Sequence, residues 1–411
     1  LGITVHQEYQ QLEHGKWFPE KMQSRIHFNE KIIDYLPPFP NMICFSATNI
    51  IDPKINIEIP SSIFRKQFDV NYAANAATPN DSLLRTYRTD SLTAQELYTF
   101  KFLDTLKRKM PMLRWMENLP QLLSSGEFPL GYVNLNMKES LGFNFQERWR
   151  YGLSLMTSAN LLPWLSMGGK LIHAHKPKAL RYAARLHVNP LSSGILRLKY
   201  QYQDETFEKG AYNFYEPYSK GIYNFRSFAL DKLNYVEGHS MAFELEYPKY
   251  INMRIEAYAE QNKLSHTAID TITGNYRQHA LRFDLRYAPG ENLSNMGKYR
   301  LRESSDGPAL NISYEKGFDT RQSTIAYQRL LGKITYNHTT RFLGTFRMMT
   351  TGGLAKGDLP LDLTMNGKGA AKIHIFEAGT FHTLPVYSFF HTRFVNGFVQ
   401  HYLPIHLQSS D

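Results

Sequence analysis

The sequence predicts an all-β protein built around an antiparallel transmembrane β-barrel of roughly 12 or more strands. Three observations predict it. First, apolar and polar residues alternate with a period of two in segment after segment, and successive strand side chains point to opposite faces. The clearest case is SMAFELEYPKYINMRIEAYAE at 240–260, two alternating arms joined at Pro248-Lys249. Second, the polar face carries full charges of both signs, Glu244, Glu246, Arg254 and Glu256, while its opposite carries Met241, Phe243, Leu245, Ile251, Met253 and Ile255. Third, each arm is near the 9–11 residues that a tilted strand needs to cross a bilayer.

Composition agrees. The chain has 411 residues, 42% of them hydrophobic, and a mean hydropathy of −0.42. No stretch approaches the run of about 18 apolar residues of a membrane helix. A membrane barrel passes that filter because half of each strand is polar. The 26 Tyr and 26 Phe suit both interfacial girdles and ordinary strands. The formal charge of +10 raises nucleic-acid binding, but the basic residues recur at strand period instead of clustering, so no nucleic-acid partner is expected. Cys44 is the single cysteine, which excludes an intrachain disulfide framework and a thiolate metal cluster. The first residues, Gly2-Ile3-Thr4-Val5, already read as strand interior, so the sequence is expected to be a mature segment or fragment.

In chain order, residues 1–75 read as a small β-rich unit. Segments 3–11 and 22–28 can pair across HGKWFP at 14–19, and 42–46 and 55–59 add shorter strands. Residues 76–129 read as a polar linker and an amphipathic helix. Thr93-Ala94-Gln95-Glu96 is a capping box. Leu103, Leu106, Met110 and Leu113 then follow at helical spacing, Lys101, Lys107, Arg108 and Lys109 lie elsewhere on its surface, and Pro111 ends or kinks it. The helix suits packing within its own domain better than a membrane surface.

From 130 to 411 the alternation repeats. Phe143, Phe145, Trp149, Tyr151, Leu153 and Leu155 oppose Gln146, Arg148, Arg150 and Ser154. Arg181 and Arg185 face away from Leu180 and Tyr182; Arg197 and Lys199 from Leu198 and Tyr200; Arg282, Asp284 and Arg286 from Leu281, Phe283 and Leu285. Further strands are expected at 164–174, 309–316, 324–336, 341–350, 371–376 and 389–401. An apolar interior in a barrel of this size is too wide for side chains to fill. The charged face is therefore expected toward a wet or plugged lumen and the apolar face toward lipid, and closure satisfies every strand edge. A soluble β architecture alternates too and stays as the competing reading. The short connections 174–178 and 247–250 are expected at one end of the barrel. The longer ones, 203–238, 261–275, 289–306 and 351–369, are expected at the other. Tyr212, Phe214, Tyr215, Tyr218, Tyr223, Phe225 and Phe228 crowd the first long connection, which suits a girdle or a loop folded into the mouth better than a ligand-stacking surface.

Four stretches carry a resemblance: QEYQQLEHGKWFPEK at 7–21, GPALNISYEKGFD at 307–319, FLGTFRMMTTGGLAKGDLPLDL at 342–363, and HTLPVYSFFHTRFVNGFVQHYLP at 382–404. With them the chain resembles an uncharacterised family of outer-membrane β-barrels of Bacteroidetes, whose members carry a carboxypeptidase-regulatory-like domain ahead of the barrel. The resemblance implies the outer membrane of a Gram-negative bacterium and supplies no activity and no catalytic residues. It also implies a preceding domain and a terminal strand ending on an aromatic residue. Neither stands in the sequence, so the C-terminus is expected to be truncated.

No catalytic constellation is expected. Gly238-His239-Ser240-Met241-Ala242 approaches a nucleophile elbow, but a strand follows where that chemistry needs a strand-to-helix turn. His173 and His175 lack a third ligand at useful spacing. His374, His382, His391 and His401 are scattered. The sequons at 311–313 and 337–339 are chance, and no Walker or dinucleotide fingerprint is present. No cofactor and no metal are expected. The expected partners are outer-membrane lipid and periplasmic or outer-membrane proteins. The expected function is transport, assembly or surface scaffolding without enzymatic chemistry. The alternatives are an outer-membrane hydrolase or a soluble β-rich binding protein. The lumen-facing charges set ion selectivity in an open pore or, the favoured use, lock the wall as a salt-bridge network.

Overall fold

The computed structural model describes residues 2–12, 15–28, 42–53, 58, 60, 70–72, 94–109, 122, 126–191, 194–217, 230, 232–263, 275–296, 299–323, 325–340, 343–370 and 379–403. It is nearly all antiparallel β-structure, in two compact units. One comprises residues 1–64 and 78–102, the other 65–77 and 103–411. The boundary expected at residue 75 falls inside the second unit's short inserted segment.

In the smaller unit, β1 (Gly2–Gln11), β2 (Trp17–Phe28) and β3 (Met42–Asn49) form a three-stranded antiparallel sheet in sequential order. The expected hairpin across 14–19 is thus present, with its second strand starting earlier, at Trp17. Residues 54–57 and 59 of the strand expected at 55–59 lie outside the described residues. Helix α1 (Ala94–Lys109) starts directly after Thr93, and Pro111 lies outside the described residues. Its start agrees with the capping-box reading.

The larger unit is dominated by one antiparallel sheet of fourteen strands. In chain order these are β5 (Glu127–Pro129), β6 (Val133–Asn136), β7 (Leu141–Asn144), β8 (Arg148–Thr157), β9 (Leu165–Ala174), β10 (Ala179–Val188), β11 (Leu196–Glu208), β12 (Leu233–Leu245), β13 (Ile251–Lys263), β14 (Tyr276–Tyr287), β17 (Gly307–Phe318), β18 (Tyr327–Thr340), β19 (Gly344–Gly357) and β22 (Arg393–Tyr402). Apart from β7, which pairs β8 beside β6, the spatial order follows the chain. Among the described residues, end strands β22 and β5 are not hydrogen-bonded to each other. A one-turn helix, α2 (Met137–Ser140), interrupts the wall between β6 and β7. The Asn136 side chain caps it by accepting from the Glu139 amide at 3.1 Å, an N-cap that satisfies an otherwise orphaned donor. Among the described residues no helix is long and apolar enough to cross a membrane.

Three details correct the sequence reading. The single strand expected over 143–155 is a hairpin. Asn144 accepts from the Glu147 amide at 2.6 Å and Arg148 takes φ 64°, an Asx-type turn that breaks the alternation. Second, the connection expected over 203–238 shrinks, because the mostly polar residues 203–208 continue β11 and pair with 233–238. Third, short and long connections do not segregate by end. Ala174 pairs Ala179, and Tyr182 pairs Asp204, so the short turn 175–178 shares its end with the long connection 209–232. The short turn 246–250 shares the opposite end with 288–306. That last connection holds a second sheet, in which β15 (Glu291–Met296) pairs β16 (Tyr299–Ser305) and, in parallel, β4 (Val70–Tyr72). A two-residue pair, β20 (Met365–Asn366) with β21 (Phe390–His391), completes the fold. The strand expected at 371–376 lies outside the described residues.

Candidate functional site

Register decides which side chains share a face, because directly paired residues point the same way. Along one paired line, Met241 meets Tyr200 and Ala257, and Ala257 meets Leu281. One residue further on, Ala242 meets Lys199 and Glu256, and Glu256 meets Arg282. The sheet therefore has an apolar face and an ionic face, and burial is inverted between them. Glu246 is 0% exposed and Glu315 1%, whereas Met241 is 64% exposed and Val395 80%.

The sequence candidates distribute accordingly. Trp149, Tyr151, Met241, Phe243, Ile255, Leu281 and Phe283 are exposed on the apolar face; Leu245, Ile251, Met253 and Leu285 lie half-buried on it. On the ionic face, Arg254 donates to Asp284 at 2.9 Å and pairs Glu256 at 3.2 Å. Glu256 lies 4.0 Å from Arg282, which donates through Nε to Glu315 at 2.7 Å. Glu315 also accepts from Arg329 at 3.0 Å and from the Tyr327 hydroxyl at 2.7 Å. This is one unbroken run of alternating charge across β13, β14, β17 and β18. On β11 and β12, Arg197 holds Glu244 at 3.0 Å and also Glu246, and Lys199 donates to Glu244 at 2.8 Å. Arg286 and Arg302 share Glu291.

The β8–β11 side repeats the arrangement. Glu147 accepts from Arg181 at 2.8 Å and pairs Arg150 at 3.1 Å. Arg150 and Lys170 both hold Glu205. Arg185 forks onto Glu139 of α2 at 2.8 and 2.9 Å, where Ser154 donates as well. Such bidentate geometry fixes orientation as well as charge. Arg148 is the exception among the candidates. It is exposed at the start of β8 with its guanidinium 6.0 Å from the Phe145 ring, outside the network because the turn re-aims it.

The ionic face is covered, and the sequence anticipated only part of the cover: the aromatics at 212–215 read as a girdle or a loop folded into the mouth, whereas residues 359–370 gave no such sign. Residues 209–216 run along it from the β11 end to Asn311, which donates to the Tyr215 carbonyl at 3.1 Å. Tyr212 is buried with Leu331, Ala355 and Met365. Cations stand over the rings: Lys368 over Tyr212 at 4.3 Å, Lys333 over Phe214 at 5.1 Å, Arg254 over Tyr215 at 5.0 Å. Lys333 also pairs Glu216. Burial pushes the Tyr215 phenol well above its usual range. Residues 359–370 lock this segment in place. Asn366 donates from Nδ2 to Glu208 at 2.9 Å and to the Lys209 carbonyl at 2.8 Å. The Gly210 amide donates to the Asp362 carbonyl at 3.0 Å, and the Asn366 amide to the Gly210 carbonyl at 2.9 Å. The dense aromatics of 212–215 were the only sequence signal. Tyr218, Tyr223, Phe225 and Phe228 lie outside the described residues.

The other chemical candidates stay apart. Ser240 sits inside β12, paired with Gln201 and Tyr258, where no strand-to-helix turn exists. His173 packs on Tyr151 with ring centroids 5.3 Å apart, His401 faces the Leu343 carbonyl at 2.7 Å, and His374 lies outside the described residues. Among the described residues no three His, Cys, Asp or Glu side chains are grouped to hold a metal. What the ionic face offers is a set of carboxylates held by fixed guanidinium and ammonium groups. A buried charge of this kind must be paired and hydrogen-bonded to persist.

Three comparisons bear on this architecture. No curated protein matches the chain. Among solved structures, BamA from Haemophilus ducreyi lacking POTRA domains 1–3 aligns with a TM-score of 0.37 and 12% identity, over 90% of this chain and 64% of that one. The chain thus spans under two thirds of the length of that structure. Over residues 248–407, β13 to the end of β22, the sequence is similar to the C-terminal domain of a family of unknown function, DUF5686.

Proposed function

We propose that the fourteen-stranded sheet is the wall of an outer-membrane β-barrel whose interior is stoppered by its own chain, and that it serves as a membrane-seated scaffold or assembly platform, not an open diffusion pore. The observation that carries the reading is the inverted burial: Glu246, Asp284, Glu315 and Arg286 are buried while Met241, Leu281, Ile334 and Val395 are exposed. In water that arrangement leaves a large apolar area solvated and desolvates many charges, both unfavourable. In a bilayer it is the favourable one. The stopper favours the scaffold role, since residues 209–216 and 359–370 occupy the ionic face that a passing ion would need.

The test is the folded protein in detergent. A barrel of this kind migrates differently on gels before and after heating and precipitates when detergent is removed. A chain that stays folded and monomeric in buffer alone refutes the reading. Planar-bilayer recordings address the stopper: the wild type is expected to show little or no steady conductance, and a large constant conductance would restore the open-pore alternative.

A further inference from the structure

We infer that the rim of the sheet at the end shared by connections 209–232, 264–275 and 358–392 is a binding surface for the phosphate groups of anionic membrane lipids. The inference rests on the membrane reading above and adds a partner to it.

Paired positions extend the apolar face from strand to strand. Leu281 pairs Lys316, Lys316 pairs Gln328, and Gln328 pairs Lys356. By the same register Lys263, Arg277 and Arg393 belong to this face, through Tyr235, Gln261 and Leu354. All five basic residues stand within three positions of their strand's terminus at this one end. From β13 to β22 no acidic residue shares the face, whose remaining positions are apolar, aromatic, small or neutral polar. At the opposite end its outermost positions are Ile251, Tyr287, Pro308, Thr340, Gly344 and His401, with His338 next in from Thr340.

Chemistry separates the two rims. Arg277, Lys316, Lys356 and Arg393 are exposed, and the Lys263 side chain is 44% exposed although it also donates to Glu237 at 2.8 Å. Lys316 stands 5.5 Å from the Phe318 ring, an aliphatic stem along an apolar surface with its charge at the edge, as snorkelling side chains do. Beside Lys263, the Tyr182 and Tyr202 hydroxyls donate to Glu237 at 3.2 and 2.9 Å, and Tyr202 packs on His239 at 4.5 Å. Amphipathic rings of this kind sit at headgroup depth. Among the described residues, acidic groups near this rim include Asp319 and Asp358, past the strand ends, Glu237, which by register shares the lipid face and is neutralised by Lys263, and Asp204 and Glu208, held by Arg181 and Asn366. A row of five lysines and arginines on the lipid side of one rim, with histidines but no lysine or arginine on that side of the other rim from β13 to β22, fits a leaflet whose headgroups carry phosphate.

The full chain, refolded in detergent and transferred to nanodiscs, is offered a bis-phosphorylated glucosamine-disaccharide lipid, the same lipid with its phosphates removed, and phosphatidylcholine. Retained lipid is counted by native mass spectrometry. The wild type is expected to prefer the phosphorylated lipid at least tenfold, with the preference falling as salt rises. The variant K263Q/R277Q/K316Q/K356Q/R393Q should retain no more than a twofold preference, and K316Q/K356Q an intermediate one, since each interfacial charge is worth about fivefold. If the five-site variant fails to fold, the two-site variant and the wild-type salt series decide. A wild type without preference, variants that keep it, or full displacement of the lipid by millimolar inorganic phosphate overturns the inference. Heat-modifiable mobility of the same preparation separates the failures. An inserted barrel without lipid preference sinks only this inference, whereas a chain that never inserts sinks both.

Discussion

A Cβ placed on Gly210 would stand 2.8 Å from the carbonyl oxygen of Thr364. Gly210 also takes φ +63°, a conformation that glycine adopts at little cost and L side chains resist. The two strips of the stopper, 209–216 and 359–370, therefore meet at a point with no room for a side chain. Gly210→Ala should destabilise the folded state by about 1–3 kcal/mol and loosen the stopper without disturbing the wall. Single-channel recording should show intermittent openings absent from the wild type. A variant as silent and as stable as the wild type would mean that this contact does not hold the stopper.

Glu315 is the acceptor on which Arg282, Arg329 and Tyr327 converge. Removing it strands two guanidinium groups in a buried setting, which costs roughly 3–5 kcal/mol. Glu315→Ala should lower the urea midpoint in vesicles markedly, and Glu315→Gln should recover part of the loss by still accepting hydrogen bonds. Exposed Lys356 provides the control, because Lys356→Gln should leave the midpoint unchanged in vesicles of phosphatidylcholine alone, which offer it no anionic lipid.

Met241 is 64% exposed, so in water its replacement by Arg should change stability by no more than about 0.5 kcal/mol. Facing lipid near mid-bilayer, the same change should cost about 2–4 kcal/mol. Unfolding titrations of Met241→Arg in phospholipid vesicles distinguish these values directly. A near-neutral result there would remove the lipid assignment of this face.

Gly317 lies beneath Tyr327, whose ring carbons would stand 2.2 Å from an added Cβ. Gly317→Val should push the ring away and break the hydroxyl's bonds to Glu315 at 2.7 Å and to Tyr258 at 3.2 Å. The expected loss is about 1–3 kcal/mol. It should be mostly absent in a Tyr327→Phe background, because neighbouring sites that share one interaction do not add. Full additivity would show that glycine serves some other purpose here.

Much of this molecule is legible in its sequence. Alternation with a period of two placed Met241, Phe243 and Leu281 on one face and Glu244, Arg254 and Asp284 on the other, because the pleat leaves a strand residue no third direction. The start signal at Thr93 to Glu96 agrees with α1 beginning at Ala94, because such signals act locally. Tertiary structure decided the rest. Nothing local tells Arg282 that its acceptor is Glu315, 33 positions on, since that partnership depends on register across strands. Arg148 reads as one more charge on an alternating strand, yet the Asn144 turn takes it out of the network. The pairing of Gly210 with Asp362 and Asn366 joins segments about 150 residues apart. Only the folded sheet, with its two faces fixed, creates the ionic surface that residues 209–216 come to fill.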